Sequence, residues 1–371
     1  MTGHSVIPPS SSARRVQCTQ STTWEAMYPE DADSPEAAEG TAAHWALSEQ
    51  LEGRLVDEGQ IAPNGVVLTA EMVQAADQTY DYVCRVLKPF GLRPQDGHVE
   101  QRVMIPRVHA QSWGTPDYWV LLPSSVLFVL DFKFGHRHVE VFENMQLVEY
   151  IAGICQDVPF AGEPLTILAA IAQPRSYHRD GPVREWRTTL LDLRALINVA
   201  NNAAHEALSP TPRTRVGPEC RDCRARHACP TLQAASMEAV DESKRSTPLV
   251  LPPAAASLEL RMIDQAIERL KARRSGLSEQ ITAQIKSGQF VPGWALESST
   301  GREQWTRPPA EVIALGQMLG VNVAKAPEAL TPNQARDAGM DPGVVAEMSK
   351  RGKGAATLVL DDGSFARRIF G

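Results

Sequence analysis

The chain predicts an α/β fold, and three stretches of its 371 residues carry that prediction. Leu127 to Phe134 (LFVLDFKF) is almost wholly apolar and rich in strand formers, the composition of a buried strand. Val139 to Cys155 has apolar residues at 141, 142, 145, 148, 151 and 154, close to helical spacing. Ser34 to Leu51 (SPEAAEGTAAHWALSEQL) reads as a second helix, with Ser34 as N-cap and Pro35 at the first position.

Taken in chain order, residues 1–33 are Ser/Pro-rich and predicted extended. Within the helix from Ser34, Gly40 and His44 lie four apart and share a face. A glycine there lets another backbone or a ligand approach the imidazole, although a lone helical histidine is more often structural. Glu100, in VEQRVMIP, begins a further predicted strand and offers another carboxylate. Asp117 to Leu122 reads as a strand, with Pro123-Ser124-Ser125 as the turn into Leu127–Phe134. A hairpin centred on Ser124 sets Asp117 directly across from Asp131, with Cβ atoms about 5 Å apart on one face. Asp131 and Lys133 share that face because strand side chains alternate.

Two carboxylates so placed repel unless a cation lies between them. An oxygen-rich site of this kind suits Mg²⁺ or Mn²⁺. Lys133 is then placed to orient or deprotonate an attacking water, or to stabilise charge on a phosphate. An isolated Asp-x-Lys usually marks a solvated edge, but here it interrupts an apolar strand, where an unpaired charge is costly. On the next helix Gln146 and Tyr150 lie four apart. They are either a polar edge or a pair that contacts a nucleic acid strand or a metal-bound water.

Gly40-x-x-x-His44, Gly114-x-x-Asp117, Asp131-x-Lys133 and Gln146-x-x-x-Tyr150 stand in an order that resembles RecB-like nucleases of the PD-(D/E)XK superfamily. The superfamily's Pro-Asp stands as Pro116-Asp117. The wording EGTAAHWALSE, GTPDYW, DFKFG and ENMQLVEY looks most like a bacteriophage branch of it, over about residues 10–230. The resemblance implies a restriction-endonuclease-like core, a central mixed sheet flanked by helices. It implies that His44, Asp117 and Asp131 bind metal, that Lys133 acts at the attacking water, and that Gln146 and Tyr150 support the site. The expected activity is a divalent-metal-dependent deoxyribonuclease, an exonuclease acting in phage DNA recombination, replication or repair. DNA is the expected partner, with a phage single-strand annealing or DNA-binding protein as a further one and an oligomer left open. The expected location is the cytoplasm of a bacterial host. Two alternatives stand beside this: a non-cleaving nucleic-acid-binding recombination accessory protein, and a zinc-stabilised phage scaffold protein.

Six cysteines are present, and Cys220, Cys223 and Cys229 in CRDCRARHAC have metal-ligand rather than disulfide spacing. No apolar signal segment opens the chain, which points to a reducing compartment. Three thiolates need a fourth ligand. One early cysteine with three late ones resembles the iron–sulfur staple of AddB-like and CRISPR-adaptation nucleases. By that resemblance Cys18 completes a [4Fe–4S] site that clamps the ends of the nuclease domain. The alternative is Zn²⁺ on the three late cysteines with His227 or Cys18. Cys84 and Cys155 read as core thiols.

Composition sets outer bounds. Hydrophobic residues make up 43%, enough for a core, and no apolar run approaches the roughly 18 residues of a membrane span. The net charge of −7 argues against a generally basic coat, so DNA would meet local basic surface. The candidates are Arg14-Arg15, His136-Arg137-His138, Arg175 to Arg187 and Arg213 to Arg226, each of which could equally be a solvated face. Domain boundaries are expected at 34–235 for the nuclease core, 236–256 for a linker and 257–371 for a smaller α+β domain. Ser257 to Lys286 opens that domain as one or two amphipathic helices. Hairpins are expected around Ser299-Thr300-Gly301 and Asp361-Asp362-Gly363, with a helix starting at Thr331-Pro332.

Overall fold

The structure, a computed structural model, describes residues 5–28, 35–123, 125–160, 165–244, 250–296 and 318. The chain divides into a unit of Met1–Trp294 and a unit of Ala295–Gly371. The cap at Ser34, the two C-terminal hairpins and the helix at Thr331 lie outside the described residues.

The arm before residue 28 carries two short helices, α1 (Ser12–Gln17) and α2 (Ser21–Ala26), where extended chain was expected. Helix α3 (Pro35–Leu51) follows the sequence reading. Helix α4 (Ala70–Leu87) starts at Thr69, whose hydroxyl accepts from the Met72 amide as an N-cap should. Short strands β1 (His98–Val99), β2 (Val103–Met104) and β3 (Trp113–Gly114) lead into β4 (Tyr118–Leu122) and β5 (Val126–Phe132). Helix α5 (Met145–Ile154) begins later than the apolar spacing from Val139 suggested. Two local features delay it. Glu143 takes a left-handed φ of 53°, and the Asn144 side chain caps the amides of Gln146 and Leu147. Then come β6 (Thr166–Ala172), β7 (Val183–Thr189), α6 (Arg194–Ala207), α7 (Pro230–Glu242) and a single 34-residue α8 (Pro253–Lys286). Helix α7 occupies the first part of the stretch read as linker.

The five-stranded sheet runs β1-β4-β5-β6-β7 and is mixed, since β5 and β6 are parallel and the other pairs antiparallel. A parallel pair needs a crossover, and α5 lies in it. The β4–β5 register, from Tyr118↔Leu130 to Leu122↔Val126, is that of a hairpin centred on Ser124. Side chains alternate between two buried layers, as period two requires. Tyr118, Val120, Phe128, Leu130 and Phe132 pack with α3 and α4, while Leu127, Val129, Ile167 and Ile171 pack with α5 and α6. Burying each such side chain contributes roughly 1.5–3 kcal/mol, so the sheet is fixed from both sides.

The N-terminal arm belongs to the α5 layer. Ile7 is buried there, and the Ser112 hydroxyl donates to its carbonyl at 2.8 Å. Arg15, read from the sequence as a possible DNA contact, is instead inside, in a salt bridge to Glu149 of α5 with both side chains 0% exposed. The Ser12 hydroxyl donates to the same carboxylate. Removing one partner of a buried pair strands the other charge, at a cost of about 3–5 kcal/mol. Glu149→Ala is therefore expected to lower the urea-unfolding free energy by about that amount. A loss under about 1 kcal/mol would mean that water, not Glu149, compensates Arg15.

Candidate functional site

Asp117 lies one residue before β4, and the observed register carries it opposite Asp131 near the end of β5. One Asp117 oxygen accepts from the Phe132 amide at 2.6 Å, and the other meets His44 Nδ1 at 3.0 Å. Two elements thus pin one carboxylate: the edge of β5, and α3 from the opposite layer. The Glu100 amide donates to the Asp117 carbonyl at 3.1 Å, and Glu100 itself adopts a φ of 43°. Ligand atoms of His44, Glu100 and Asp117 all lie within 4.8 Å of one another. The Glu100 expected to open a strand sits instead at a left-handed bend between β1 and β2, which brings its carboxylate beside Asp117.

Asp131 is the buried member, its side chain 4% exposed, and Lys133 Nζ lies 2.9 Å from it. Lys133 also donates to Gln146 Oε1 at 3.1 Å, and Gln146 Nε2 donates to the Tyr150 hydroxyl at 3.1 Å. The sequence-predicted residues therefore form one connected line: Glu100, His44, Asp117, Asp131, Lys133, Gln146, Tyr150. Gly114 makes its end possible. A Cβ there would lie 2.7 Å from both the Tyr150 ring and Pro9. At the other end Gly40 faces open space, with nothing within 4 Å of an added Cβ.

Charge in this line is unevenly held. Burial opposes a charged His44 ring, but Asp117 outweighs it and raises the pKa above the usual 6.5. Burial likewise opposes ionised Asp117, but His44 and then Lys133 hold its pKa below the usual 3.8. At Asp131 burial wins, against Lys133, and the pKa rises. Lys133 is raised, as Asp131 and Asp117 outweigh its burial. Glu100 is an exposed residue whose carboxyl turns inward, and burial followed by the Asp117 charge raises its pKa. Carboxylates crowded in this way accept a divalent cation readily.

Cys18, Cys220, Cys223 and Cys229 line a second site, a single pocket shared with Arg14, Gln17 and Trp24. Donors surround the sulfurs. The Gly217 amide reaches Cys220 Sγ at 3.4 Å, Gln17 Nε2 reaches it at 3.7 Å, and the Leu232 amide reaches Cys229 Sγ at 3.3 Å. Burial raises the pKa of Cys220 and pushes Cys223 up to about 12. His227 is absent from the lining; its ring packs edge-on against Tyr28, 4.5 Å between centroids. Hydrogen bonds join the N-terminal arm to residues 213–219 here: the Gln20 amide donates to the Arg213 carbonyl at 3.0 Å and the Glu219 amide to Gln17 Oε1 at 3.0 Å. Ala272 and Gly276 of α8 are buried, and Arg273 donates to the His227 carbonyl. Cys155 is buried in the α5 layer, as a core thiol should be. Cys84, on α4, is half-buried and near Tyr80.

Several basic candidates are already engaged. Arg14 pairs with Glu25, Arg137 with Asp222, Arg175 with Glu71 and Glu39, Arg213 with Glu206 and Arg226 with Glu279. The Arg137–Asp222 pair links the loop after β5 to the cysteine segment, a contact nothing in the sequence pattern signalled. Gln173 was also missed. Its amide donates to the Gly135 carbonyl at 2.8 Å and its oxygen accepts from the Val139 amide at 3.1 Å, fixing that same loop. The one available signal was a glutamine closing the apolar run of β6.

A family model described as a protein of unknown function (DUF2800) matches residues 4–325. No curated protein matches the chain.

The His44–Asp117 pair makes stability depend on pH. The His44 contribution is complete below its unfolded pKa of about 6.5 and is lost as pH rises through its raised folded value. The Asp117 contribution is complete above about 3.8 and is lost as pH falls through its lowered value. Both are present between about pH 4 and pH 6.5. In EDTA, the stability gap between the native chain and His44→Ala should be widest between about pH 4 and pH 6.5 and narrow as the pH rises through the raised folded value of His44. A gap that keeps its width as the pH rises through that value would show the pair to be electrostatically idle.

Proposed function

The chain belongs to the DUF2800 family, and we propose that it is a divalent-metal-dependent deoxyribonuclease whose cysteine pocket holds an iron–sulfur cluster. One observation carries the reading. His44, Glu100 and Asp117 converge within 4.8 Å beside a buried Asp131–Lys133 pair. Three metal ligands next to a carboxylate–lysine pair make a phosphodiester-hydrolysing site.

His44, Glu100 and Asp117 are the residues that would hold Mg²⁺ or Mn²⁺; Asp131, expected from the sequence as a ligand, pairs with Lys133 and is a further carboxylate of the same site. Such an ion polarises the scissile phosphate and lowers the pKa of a bound water. Lys133 is kept cationic by Asp131 and Asp117, so it suits orienting that water and stabilising phosphate charge better than removing a proton. Gln146 takes one Lys133 proton in a hydrogen bond and is itself anchored by Tyr150, which limits the ammonium to one direction. Function in phage recombination, replication or repair, and exonuclease rather than endonuclease action, rest on the resemblance of the motifs.

For the cysteine pocket, four lining thiols with amide donors on two of the sulfurs fit a thiolate-ligated cluster. Tetrahedral zinc, with Zn–S of about 2.3 Å, would need sulfurs roughly 3.8 Å apart. Among the described residues the group of ligand atoms that close is the His44 trio, not the cysteines. His227 lies outside the lining, which disfavours a Cys₃His zinc site, and the choice of iron–sulfur over zinc on the four cysteines rests on the resemblance of the cysteine pattern. The cluster would act structurally, joining the arm to residues 213–229.

Asp131→Ala and, separately, Lys133→Ala are expected to reduce cleavage of labelled DNA by about 10²–10⁴-fold or more while thermal melts remain cooperative. Cleavage should require Mg²⁺ or Mn²⁺ and stop in EDTA. Full activity in either variant from a clean preparation would sink the assignment.

Anaerobically purified protein should be brown, and Cys18→Ala should bleach it and lower the melting temperature. Cys84→Ala and Cys155→Ala should leave the colour unchanged. A colourless protein with one stoichiometric zinc, indifferent to Cys18→Ala, would replace the cluster by a local zinc site.

A further inference from the structure

His44 and Glu100 serve two spaces at once. On one side they face Asp117. On the other they line a cleft of about 550 Å³ between α3 and the turn at residues 61–67. That volume lies in the range of small-molecule sites. A group whose phosphate sat on the His44 trio would therefore extend directly into the cleft.

The α3 wall contains an anomaly. Gly40 lies within the helix, one turn before His44, where glycine costs roughly 0.5–1 kcal/mol relative to alanine. Among the described residues nothing demands it: its φ is not left-handed, and an added Cβ would meet nothing within 4 Å. The space it leaves opens into the cleft. A destabilising residue that clears room for none of the described residues is placed to clear it for a ligand.

The opposite wall is held rigid. Asn64 Nδ2 donates to the Ala38 carbonyl of α3 at 2.8 Å, and Asn64 Oδ1 accepts from the Val66 amide at 3.3 Å. The Ala62 amide donates to Val66 O at 2.9 Å, and Gly65, with φ of 83°, closes the turn. Asn64 thus fixes the width of the cleft. Half-buried Trp45 adds apolar surface, and Thr41 and Ser48 add hydroxyls. A flat heteroaromatic ring on a polar sugar matches such a lining.

We propose that this cleft is the subsite for the nucleoside unit joined to the reacting phosphate, and that Gly40 is the residue that keeps it open. The proposal rests on the nuclease reading and adds to it a binding site on the His44 side of the centre.

The test uses full-length protein loaded with Mn²⁺ and titrated calorimetrically with thymidine 5′-monophosphate, thymidine 3′-monophosphate and inorganic phosphate. At least one nucleotide should bind about tenfold or more tightly than phosphate, a difference the nucleoside alone supplies. Gly40→Leu should bring that nucleotide down to the affinity of phosphate without changing Mn²⁺ affinity. Gly40→Ala should lose part of the advantage while melting no lower than the native chain. Equal binding of nucleotides and phosphate by the native protein, or an advantage that survives Gly40→Leu, would overturn the subsite. DNA cleavage by the native protein is measured in parallel. Cleavage without a nucleotide advantage removes the subsite alone. A nucleotide advantage lost in Gly40→Leu, with no cleavage, upholds the subsite and removes the nuclease reading.

Discussion

A carboxylate near the end of an apolar central strand must be compensated, and Asp131 is that carboxylate. It is flanked by Leu130 and Phe132, both fully buried, and continues the face of Leu127 and Val129. Burial raises its pKa, so an unaided Asp131 would tend to stay protonated. Lys133, two residues on and sharing its face, supplies the counter-charge at 2.9 Å. Everything around it follows from holding that pair in place. Gln146 and Tyr150 restrain the lysine, Gly114 makes room for the Tyr150 ring, and Asp117 brings the second carboxylate across the hairpin.

The site stands where the two layers of the fold meet. Helix α3 delivers His44 from one side, and α5 delivers Gln146 and Tyr150 from the other. Each helix is fixed by apolar packing away from the site, so the polar residues need little local strain to converge. The α5 side has a further brace, the buried Arg15–Glu149 pair, which ties the arm to the turn that carries Gln146 and Tyr150. The arm's next contacts are with the cysteine segment, through Gln17 and Glu25. Helix α1 thus touches both regions, the cysteine pocket through Gln17 and α5 through Ser12 and Arg15.

Much of this was legible because strand period and turn position are strong signals. The Pro123-Ser124-Ser125 turn between two apolar runs set a register that the β4–β5 pairing reproduces residue for residue. The helical face of Gln146 and Tyr150 was readable from spacing alone. The start of α5 was not, because apolar residues at 139–142 pack on the core from a loop and imitate helical periodicity. Arg15 was also misread. An arginine beside a Ser/Pro-rich stretch looks solvated, and only tertiary contact reveals that Glu149, inside the apolar run MQLVEYIAGI, awaits it. A charged residue in such a run is a signal in itself. Gly40 had a readable motif position but no readable reason, since its open surroundings are a property of three dimensions.

The way the arm is held has a consequence for how the chain is made. Cys18, Gln20 and Glu25 find their partners between Arg213 and Arg224, close to two hundred positions later. A ribosome adding about 5–20 residues per second needs on the order of ten seconds or more to cover that distance. Late in that interval, once the strands up to Thr189 have been made, Ile7 can settle against the sheet while Cys18 still waits for its partner. Joining the arm to this segment is then a closure between positions far apart in sequence rather than a local collapse, which is the slow kind of contact to form.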